Sequence, residues 1–213
     1  MIDSLDALRA LYPQASARSR AKQFDRLDET MRRFIAHAPL CVLASAGVDG
    51  ALPDASPRGG PAGFVQVPDD GTLLVPDASG NNRLDTLENL LADPRIGILF
   101  LVPGVDEVLR VNGTARLRDE PAFTQRFASP GATRTPPVVI EVAVREAYLH
   151  CPKALMRARA WSPAARVADG TFPTMNAMLK AQLGSAVVTE TDEQARERYR
   201  SQLEAEGLAD RVP

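Results

Sequence analysis

Residues 80–95 read GNNRLDTLENLLADPR. A polar turn opens this stretch, a leucine-rich segment follows it, and Pro94 ends it just before an apolar run. The order predicts a short helix between two strands, with Asn82 as its N-cap and Asp85 as the partner three residues later. This stretch is therefore predicted to connect two strands of a sheet through one short helix.

The leucines of this helix predict which side is buried. Leu84, Leu87 and Leu91 recur at helical spacing, so we expect them to pack inward. Asn82 and Arg83 would then stand at the exposed helix start, where free backbone N–H groups and a guanidinium favour a phosphate. Taken alone, these residues are explained more simply by a capped helix with a solvated arginine.

Composition narrows the function classes. The chain has 213 residues, of which 45% are hydrophobic, and this is typical of a globular protein with a substantial core. A formal charge of −2 and a pI near 5.8 do not show the excess of basic residues that is typical of nucleic-acid-binding proteins. The acidic start of the chain does not resemble a signal peptide, and the apolar run at 96–102 is too short to cross a membrane. We therefore expect a cytoplasmic protein that binds small molecules.

Cysteine and histidine are scarce. Cys41 and Cys151 lack the spacing of a zinc or redox motif, and we expect both to be small buried residues in a reducing compartment. His37 and His150 are the only histidines, and neither lies in a metal-binding pattern. No metal site is predicted.

Outward from the central stretch, the chain reads as strands between two helical ends. Helices are predicted at 3–11 and 16–38 before the strands, and at 174–183 and 193–206 after them. A hairpin turn is predicted at 47–50, GVDG. The predicted strands are 40–44, 51–58, 64–67, 72–76, 96–102, 107–118 and 138–144. The strand at 96–102 is apolar throughout and is expected to be buried on both faces.

Short strands joined by turns indicate a mainly β protein with flanking helices (α+β), built as an antiparallel barrel or sandwich. The chain has no Gly-x-Gly-x-x-Gly turn and no P-loop, so neither common nucleotide-binding loop is present. We expect a helical extension at 1–38, a β domain at 39–161 and a second helical extension at 162–213, all within one compact domain.

Four stretches resemble the pyridoxamine 5'-phosphate oxidase-like flavoproteins. They are 54–59 (DASPRG), 81–83 (NNR), 93–100 (DPRIGILF) and 109–115 (LRVNGTA). The resemblance covers about residues 33–161 and is closest to a bacterial branch with S-P-R-G and H-C-x-K-A signatures. It implies an antiparallel split β-barrel that binds FMN at the interface of a homodimer.

The resemblance also implies how FMN would be held. Arg58 and Arg83 correspond to the basic residues that bind the flavin phosphate, and a guanidinium can meet two phosphate oxygens at once. Ser56, Asn81 and Asn82 stand where hydroxyl and amide donors would complete the phosphate shell.

Four further residues are weaker candidates for contacts with the cofactor. Arg110 and Asn112 share one face of a strand that, in the family, reaches toward the partner's flavin; a solvated strand face explains them equally well. Lys153 follows the last strand and could approach the phosphate or ribityl chain. Trp161 could cover the ring, although simple packing is the stronger explanation for it.

The resemblance implies an FMN-dependent oxidoreductase, of the flavin reductase or oxidase type, that acts on an unidentified small substrate and possibly on NAD(P)H. No dedicated catalytic residue is assigned. True pyridoxamine-phosphate oxidases carry a C-terminal arginine–histidine motif, and this chain has no histidine after His150. The alternatives are a non-catalytic module for flavin, haem or the deazaflavin F420, and a structural dimer whose pocket has decayed.

Overall fold

The computed structural model describes residues 1–48 and 52–211. Its strands are β1 (Leu40–Ala46), β2 (Pro53–Gly59), β3 (Gln66–Asp69), β4 (Thr72–Pro76), β5 (Arg95–Leu101), β6 (Val108–Arg118) and β7 (Val139–His150). Its α-helices are α1 (Leu5–Leu11), α2 (Ala17–Ala21), α3 (Glu29–His37), α4 (Asp85–Ala92), α5 (Pro121–Thr124), α6 (Lys153–Ala158), α7 (Met175–Leu183) and α8 (Asp192–Ala205). The prediction of a mainly β protein with flanking helices is confirmed.

All seven strands form one antiparallel sheet in the order β2-β1-β5-β6-β7-β4-β3. The sheet is not closed, and β2 and β3 are its two edges. An ion pair between Arg58 of β2 and Asp77, just after β4, links the two ends of the curled sheet. This open, curled arrangement agrees with the expected split β-barrel.

One hydrophobic core lies inside the curled sheet. Its fully buried side chains include Phe100 of β5, Leu109 of β6 and Ile140 of β7. Helix α3 adds Met31 and Ile35 to the same core, and α4 adds Leu87 and Leu90. The sheet and these two helices therefore bury one continuous apolar surface.

The single helix predicted at 16–38 is wrong. Helices α2 and α3 are separate, and between them the Phe24 backbone exchanges two hydrogen bonds with Ala147 of β7. Helix α3 starts afresh because the Asp28 side chain accepts from the Met31 N–H, an N-cap contact of 2.8 Å. The chain thus uses residues 22–28 to cross the end of the barrel.

The details predicted for residues 80–95 also need correction. Helix α4 begins at Asp85 and its N-cap is Leu84, which has left-handed backbone and no side-chain cap bond; Asn82 is left-handed as well. Because the helix starts late, its buried face is formed by Thr86, Leu87 and Leu90. Leu84 and Leu91 are 48% and 75% exposed. The helix still ends before Pro94, as predicted.

The remaining predictions meet different outcomes. The strand at 72–76 is confirmed, whereas β7 runs past the predicted end at 144 to His150. Strand β5 is not buried on both faces, because its residues alternate and Leu99 is 40% exposed. The predicted turn at 47–50 lies partly outside the described residues. Cys41 is buried, but Cys151 is exposed because it follows the end of β7.

Candidate functional site

Strand register divides the predicted site residues between the two faces of the sheet. Arg58 and Ser56 of β2 lie opposite Cys41 and Leu43 of β1, two fully buried residues. Residues directly opposite each other in antiparallel strands share a face. Ser56 and Arg58 therefore face the inside of the curled sheet, at its β2 edge.

The Ser56 hydroxyl is committed to a neighbouring carboxylate. Its Oγ donates to the two carboxylate oxygens of Asp54 at 3.0 and 2.9 Å. The buried Thr86 Oγ1 of α4 donates to the same carboxylate at 2.7 Å. Asp54 thus ties the first turn of α4 to strand β2, and it fixes the distance between Ser56 and the start of the helix.

Arg58 spans the open seam of the sheet. Its Nη2 lies 3.6 Å from Asp77 Oδ1, and each side chain is less than one-fifth exposed. Burial raises the pKa of Asp77, and the Arg58 charge only partly offsets this. On the other side of Arg58, burial raises the pKa of the Cys41 thiol to about 12, so this cysteine is no nucleophile.

The turn before α4 presents Asn81, Asn82 and Arg83 to solvent. The Arg83 N–H donates to Asn81 Oδ1 at 3.1 Å, which closes a tight side-chain turn. The Arg83 Nε donates to Asp85 Oδ2 at 2.8 Å, and the guanidinium is 73% exposed. This hydrogen bond raises the pKa of Arg83 and lowers that of Asp85, and the Asp54 charge adds a smaller upward contribution at Arg83. The turn is therefore held mainly by the local contacts of Arg83 with Asn81 and Asp85.

A cavity of about 230 Å³ opens at the seam, beside the Arg58–Asp77 pair. One wall is the end of β2 and the residues after it, and a second wall is Asp77 to Ser79, the segment that runs directly into Asn81. Proline and phenylalanine side chains form much of the lining, which is given by Pro61, Phe64, Pro76, Phe127, Pro136 and Pro137.

The charges around this cavity are unequally matched. Of its two acidic residues, Asp77 is paired with Arg58, whereas Glu206 accepts hydrogen bonds only from the neutral Ser79. Its two arginines are not matched by acids, since Arg126 bonds the neutral Gln66 and, within residues 1–48 and 52–211, Arg134 has no side-chain hydrogen bond or ion pair. Counting Arg58 behind Asp77, three arginines stand against two carboxylates, and this excess, together with the apolar walls, favours an anionic ligand with an apolar body.

Arg110 and Asn112 lie on the opposite, outward face of the sheet. The Arg110 guanidinium lies over the Tyr148 ring, with 6.0 Å between its central carbon and the ring centroid, and Lys22 Nζ lies 5.4 Å from the same centroid. Asn112 donates from Nδ2 to Glu146 at 3.1 Å. In one copy of the chain, these two residues do not share a site with Ser56 and Arg58.

Lys153 and Trp161 belong to a third region, around α6. Lys153 is exposed in the first turn of α6, and the Trp161 Nε1 donates to the Val105 carbonyl at 2.9 Å. Trp161 also lines a shallow groove with Met156 and Arg159. The nine predicted residues thus fall into three groups, and none of the nine lines the cavity. Arg58 precedes the lining residue Gly59 and pairs with the lining residue Asp77, and Asn81 follows the lining residue Ser79 by two positions.

Sequence reasoning missed the acidic residues of the site. Asp54, Asp77 and Glu206 each hold a donor in place, and Asp54 stands inside the DASPRG motif itself. Its position two residues before Ser56 on one strand puts both on the same face, which was a usable signal. Nothing local marks Asp77 or Glu206, because their partners are distant in sequence.

Searches for metal and membrane features add two negative findings. Among the described residues, no group of three or more His, Cys, Asp or Glu side chains is arranged to hold a metal ion. None of the helices in the same part of the chain has the length and apolar character needed to cross a membrane.

A family model described as pyridoxamine 5'-phosphate oxidase matches residues 27–151, which is more than half of the chain. The chain belongs to this family. The match runs from just before α3 to the end of β7, so it includes every strand, helix α4 and the seam cavity's β2 and β4 walls. The C-terminal helices lie outside the family model.

Comparison with curated proteins finds no match. Among solved structures, HupZ of Group A Streptococcus is 20% identical, with a TM-score of 0.47, and the alignment covers 58% of this chain and 98% of HupZ. General Stress Protein 26 of Bacillus anthracis is 16% identical, with a TM-score of 0.42 and coverages of 55% and 88%. A pyridoxamine 5'-phosphate oxidase-related, FMN binding protein of Nostoc punctiforme is 14% identical, with a TM-score of 0.36 and coverages of 54% and 74%. The family assignment rests on the family model.

Proposed function

We propose that this protein is an FMN-dependent oxidoreductase that binds the flavin at the seam of its split barrel. The observation that carries the proposal is the cavity between the β2 edge and residues 77–79, around which three arginines, including Arg58, stand against two carboxylates. The cavity lining includes Gly59 of the SPRG motif and Ser79, which lies two residues before the NNR turn; the family resemblance assigns these two motifs to the flavin phosphate.

Arg83 is the residue best placed to bind a phosphate. Its present ion pair with Asp85 is exposed, and exposed pairs contribute only about 0–1 kcal/mol. Hydrogen bonds between an arginine and a phosphate are charge-assisted and can be bidentate. Exchange of Asp85 for a phosphate therefore costs little. Asn82 is beside it and, within the described residues, its side chain makes no competing hydrogen bond.

Arg58 and Ser56 would act differently from Arg83. Arg58 is less than one-fifth exposed and already neutralises Asp77, so it would contribute its charge from behind the ligand. Ser56 has a single O–H, and that proton is given to Asp54. A direct hydrogen bond from Ser56 to a phosphate would require the hydroxyl to rotate away from Asp54, whereas its oxygen can accept a donor without any change.

The size of the cavity supports an assembly of two copies. Its 230 Å³ is below the range of about 300–1,000 Å³ that is usual for pockets of drug-sized ligands. One copy would thus enclose only part of FMN, and the remainder would be covered by a second copy. In such a homodimer the outward-facing Arg110 and Asn112 would contact the flavin bound by the partner. This would explain why they lie on the opposite face of the sheet from Ser56 and Arg58.

Bound FMN would supply hydride or electron transfer to or from a small substrate, possibly NAD(P)H. Arg83 would bind the phosphate, and the apolar lining of the cavity would exclude water. Arg126 and Arg134 would place positive charge near the flavin. A carboxylate or phosphate on the substrate would be favoured by those two arginines.

The proposal is tested by flavin titration of the purified protein. We expect FMN to bind, and Arg83→Ala to weaken binding by about 1.5–3 kcal/mol, the scale of a hydrogen bond to a charged group. Arg95→Ala is the matched control, because Arg95 is also exposed and also pairs with an aspartate two residues away in sequence. Equal affinities for the two variants would assign Arg83 to the solvated surface, and a chain that takes up no FMN would overturn the proposal.

Turnover is tested separately on the FMN-loaded protein. Bleaching of the flavin absorbance by NADH or NADPH under anaerobic conditions would support an oxidoreductase. A flavin that binds but is not reduced by either nucleotide would favour the alternative, a non-catalytic binding module, and uptake of haem or F420 in place of FMN would identify its ligand.

A further inference from the structure

The end of α8 closes one side of the seam cavity. The Ala205 carbonyl accepts from the backbone N–H groups of Thr133 and Arg134, at 3.0 and 3.1 Å. The Glu206 carboxylate reaches across to Ser79, and Leu208 lines the cavity beside it. We call residues 205–208 the C-terminal clasp. It fastens the end of the chain to the loop before β7 and to the segment before α4.

The contact at Ser79 has the form of an anion site. Glu206 Oε1 accepts from the Ser79 N–H at 3.0 Å and also from the Ser79 Oγ. Hydrogen bonds from a backbone N–H and a hydroxyl to one charged oxygen are what a phosphate or carboxylate ligand would also receive. Ser79 lies one residue before Gly80, where the stretch leading to Asn81 and Arg83 begins. Glu206 therefore occupies a donor pair that an anion in the cavity would use.

The clasp contacts the loop before β7 and the segment before α4, whereas α8 itself is mostly exposed. Along α8 only Ala195 is buried, and the ion pair Arg198–Glu190 joins the helix to residues of its own C-terminal region. Gly207 has a φ of +76°, and a side chain there would come within 3.3 Å of Pro130 and Ser129, so the clasp fits closely against the loop. Release of the clasp would thus separate the end of α8 from the loop before β7 and from Ser79 without opening the core, which contains none of these four residues.

We infer that the C-terminal clasp is an autoinhibitory contact: Glu206 holds the Ser79 donors in the ligand-free protein, and an anionic ligand must displace it to enter the cavity. The ligand is taken to be FMN, so this part of the inference rests on the proposed function. It predicts that the clasp is closed in the ligand-free protein and that binding of the ligand opens it. It also predicts that removal of the Glu206 charge increases the affinity for the ligand.

The first test is FMN titration of Glu206→Gln. We expect this variant to bind FMN about tenfold more tightly than the wild type, a change of about 1.4 kcal/mol, because the internal competitor is weakened. Glu204→Gln is the matched control, since Glu204 is exposed on the same helix and, among the described residues, makes no side-chain hydrogen bond. Weaker binding by Glu206→Gln than by Glu204→Gln would overturn the inference and make Glu206 a supporting residue of the site.

The second test is trypsin cleavage in α8, which carries Arg196, Arg198 and Arg200. Without any ligand, Glu206→Gln should be cut faster than Glu204→Gln, and equal rates would overturn the clasp whether or not FMN binds. In the wild type, FMN should accelerate cleavage there, and protection by FMN would overturn displacement. Failure of FMN to bind at all would contradict the proposed function, while the ligand-free comparison would still decide on the clasp.

Discussion

The Arg58 guanidinium and the Asp77 carboxylate face each other across the open seam, with 3.6 Å between Nη2 and Oδ1. Arg58 was recognisable in the sequence because it stands in the SPRG motif. Its partner was not, because Asp77 is brought to it by the curvature of the whole sheet. Once paired, Arg58 has less freedom to follow a ligand than the exposed Arg83, so we expect the two arginines to play different roles in the proposed phosphate site.

Asp77 makes stability depend on pH in a definite direction. Its folded pKa is raised above the ordinary value of 3.8, mainly by burial. As the pH rises through 3.8, the unfolded chain loses this proton first, so the free energy of unfolding falls until the pH passes the folded pKa. The Asp77→Asn variant has no titratable group at this position, so its free energy of unfolding does not show this fall.

We therefore expect the stability of Asp77→Asn, relative to the wild type, to increase as the pH is raised from about 3.8. Urea denaturation of both proteins at a series of pH values measures this difference. A difference that stays constant across the series would show that Asp77 has the same pKa in both states.

At the scale of elements, strands could be predicted from the sequence where apolar and polar residues alternate along the chain. Strand β6 was predicted well because apolar and polar residues alternate along it. The break between α2 and α3 was missed, although Asp28 is a usable N-cap signal, because the periodic apolar residues continue across it. The end of β7 was missed because its charged pair, Arg145 and Glu146, interrupts the alternation.

That charged pair coincides with an irregularity in the sheet. Asn112 of β6 lies opposite Glu146, and the next residue, Gly113, lies opposite Val144, so β7 has one extra residue, Arg145, at this point. The strands approach closely there: a side chain at Gly113 would lie 2.3 Å from the Ala143 carbonyl oxygen. Glycine at 113 is therefore required by close packing of the two backbones.

We expect Gly113→Ala to destabilise the protein by at least about 1–3 kcal/mol, the usual cost of overpacking. Gly80→Ala is the control, because no atom lies within 4 Å of the position its methyl group would take. Thermal denaturation of the two variants compares them directly. A Gly113→Ala protein as stable as Gly80→Ala would mean that β6 and β7 can move apart at this point.

For the whole molecule, the family resemblance predicted the sheet architecture correctly, and the homodimer that it also implies remains a prediction. In the described part of the chain, the core fills the inner face of the sheet, whereas the outward face keeps exposed side chains at its centre. Val42, Leu99 and Arg110 lie side by side across β1, β5 and β6, with Leu99 40% exposed at the centre of the sheet. Apolar residues at the centre of an open sheet face usually mark a contact surface.

This face is where we expect the second copy of the chain to bind, because a dimer formed there would bury Leu99 and bring Arg110 toward the partner's seam. Leu99→Glu should then convert a dimer into a monomer, since a carboxylate buried in the contact would lose its hydration, a cost that the neighbouring Arg110 does not remove. Leu91→Glu is the matched control: Leu91 is 75% exposed on α4, away from the sheet face, and its variant should remain dimeric. Sedimentation velocity distinguishes these cases. A monomeric wild type would contradict the homodimer, and a dimeric Leu99→Glu protein would assign the contact to another surface and leave Arg110 without a role at the flavin.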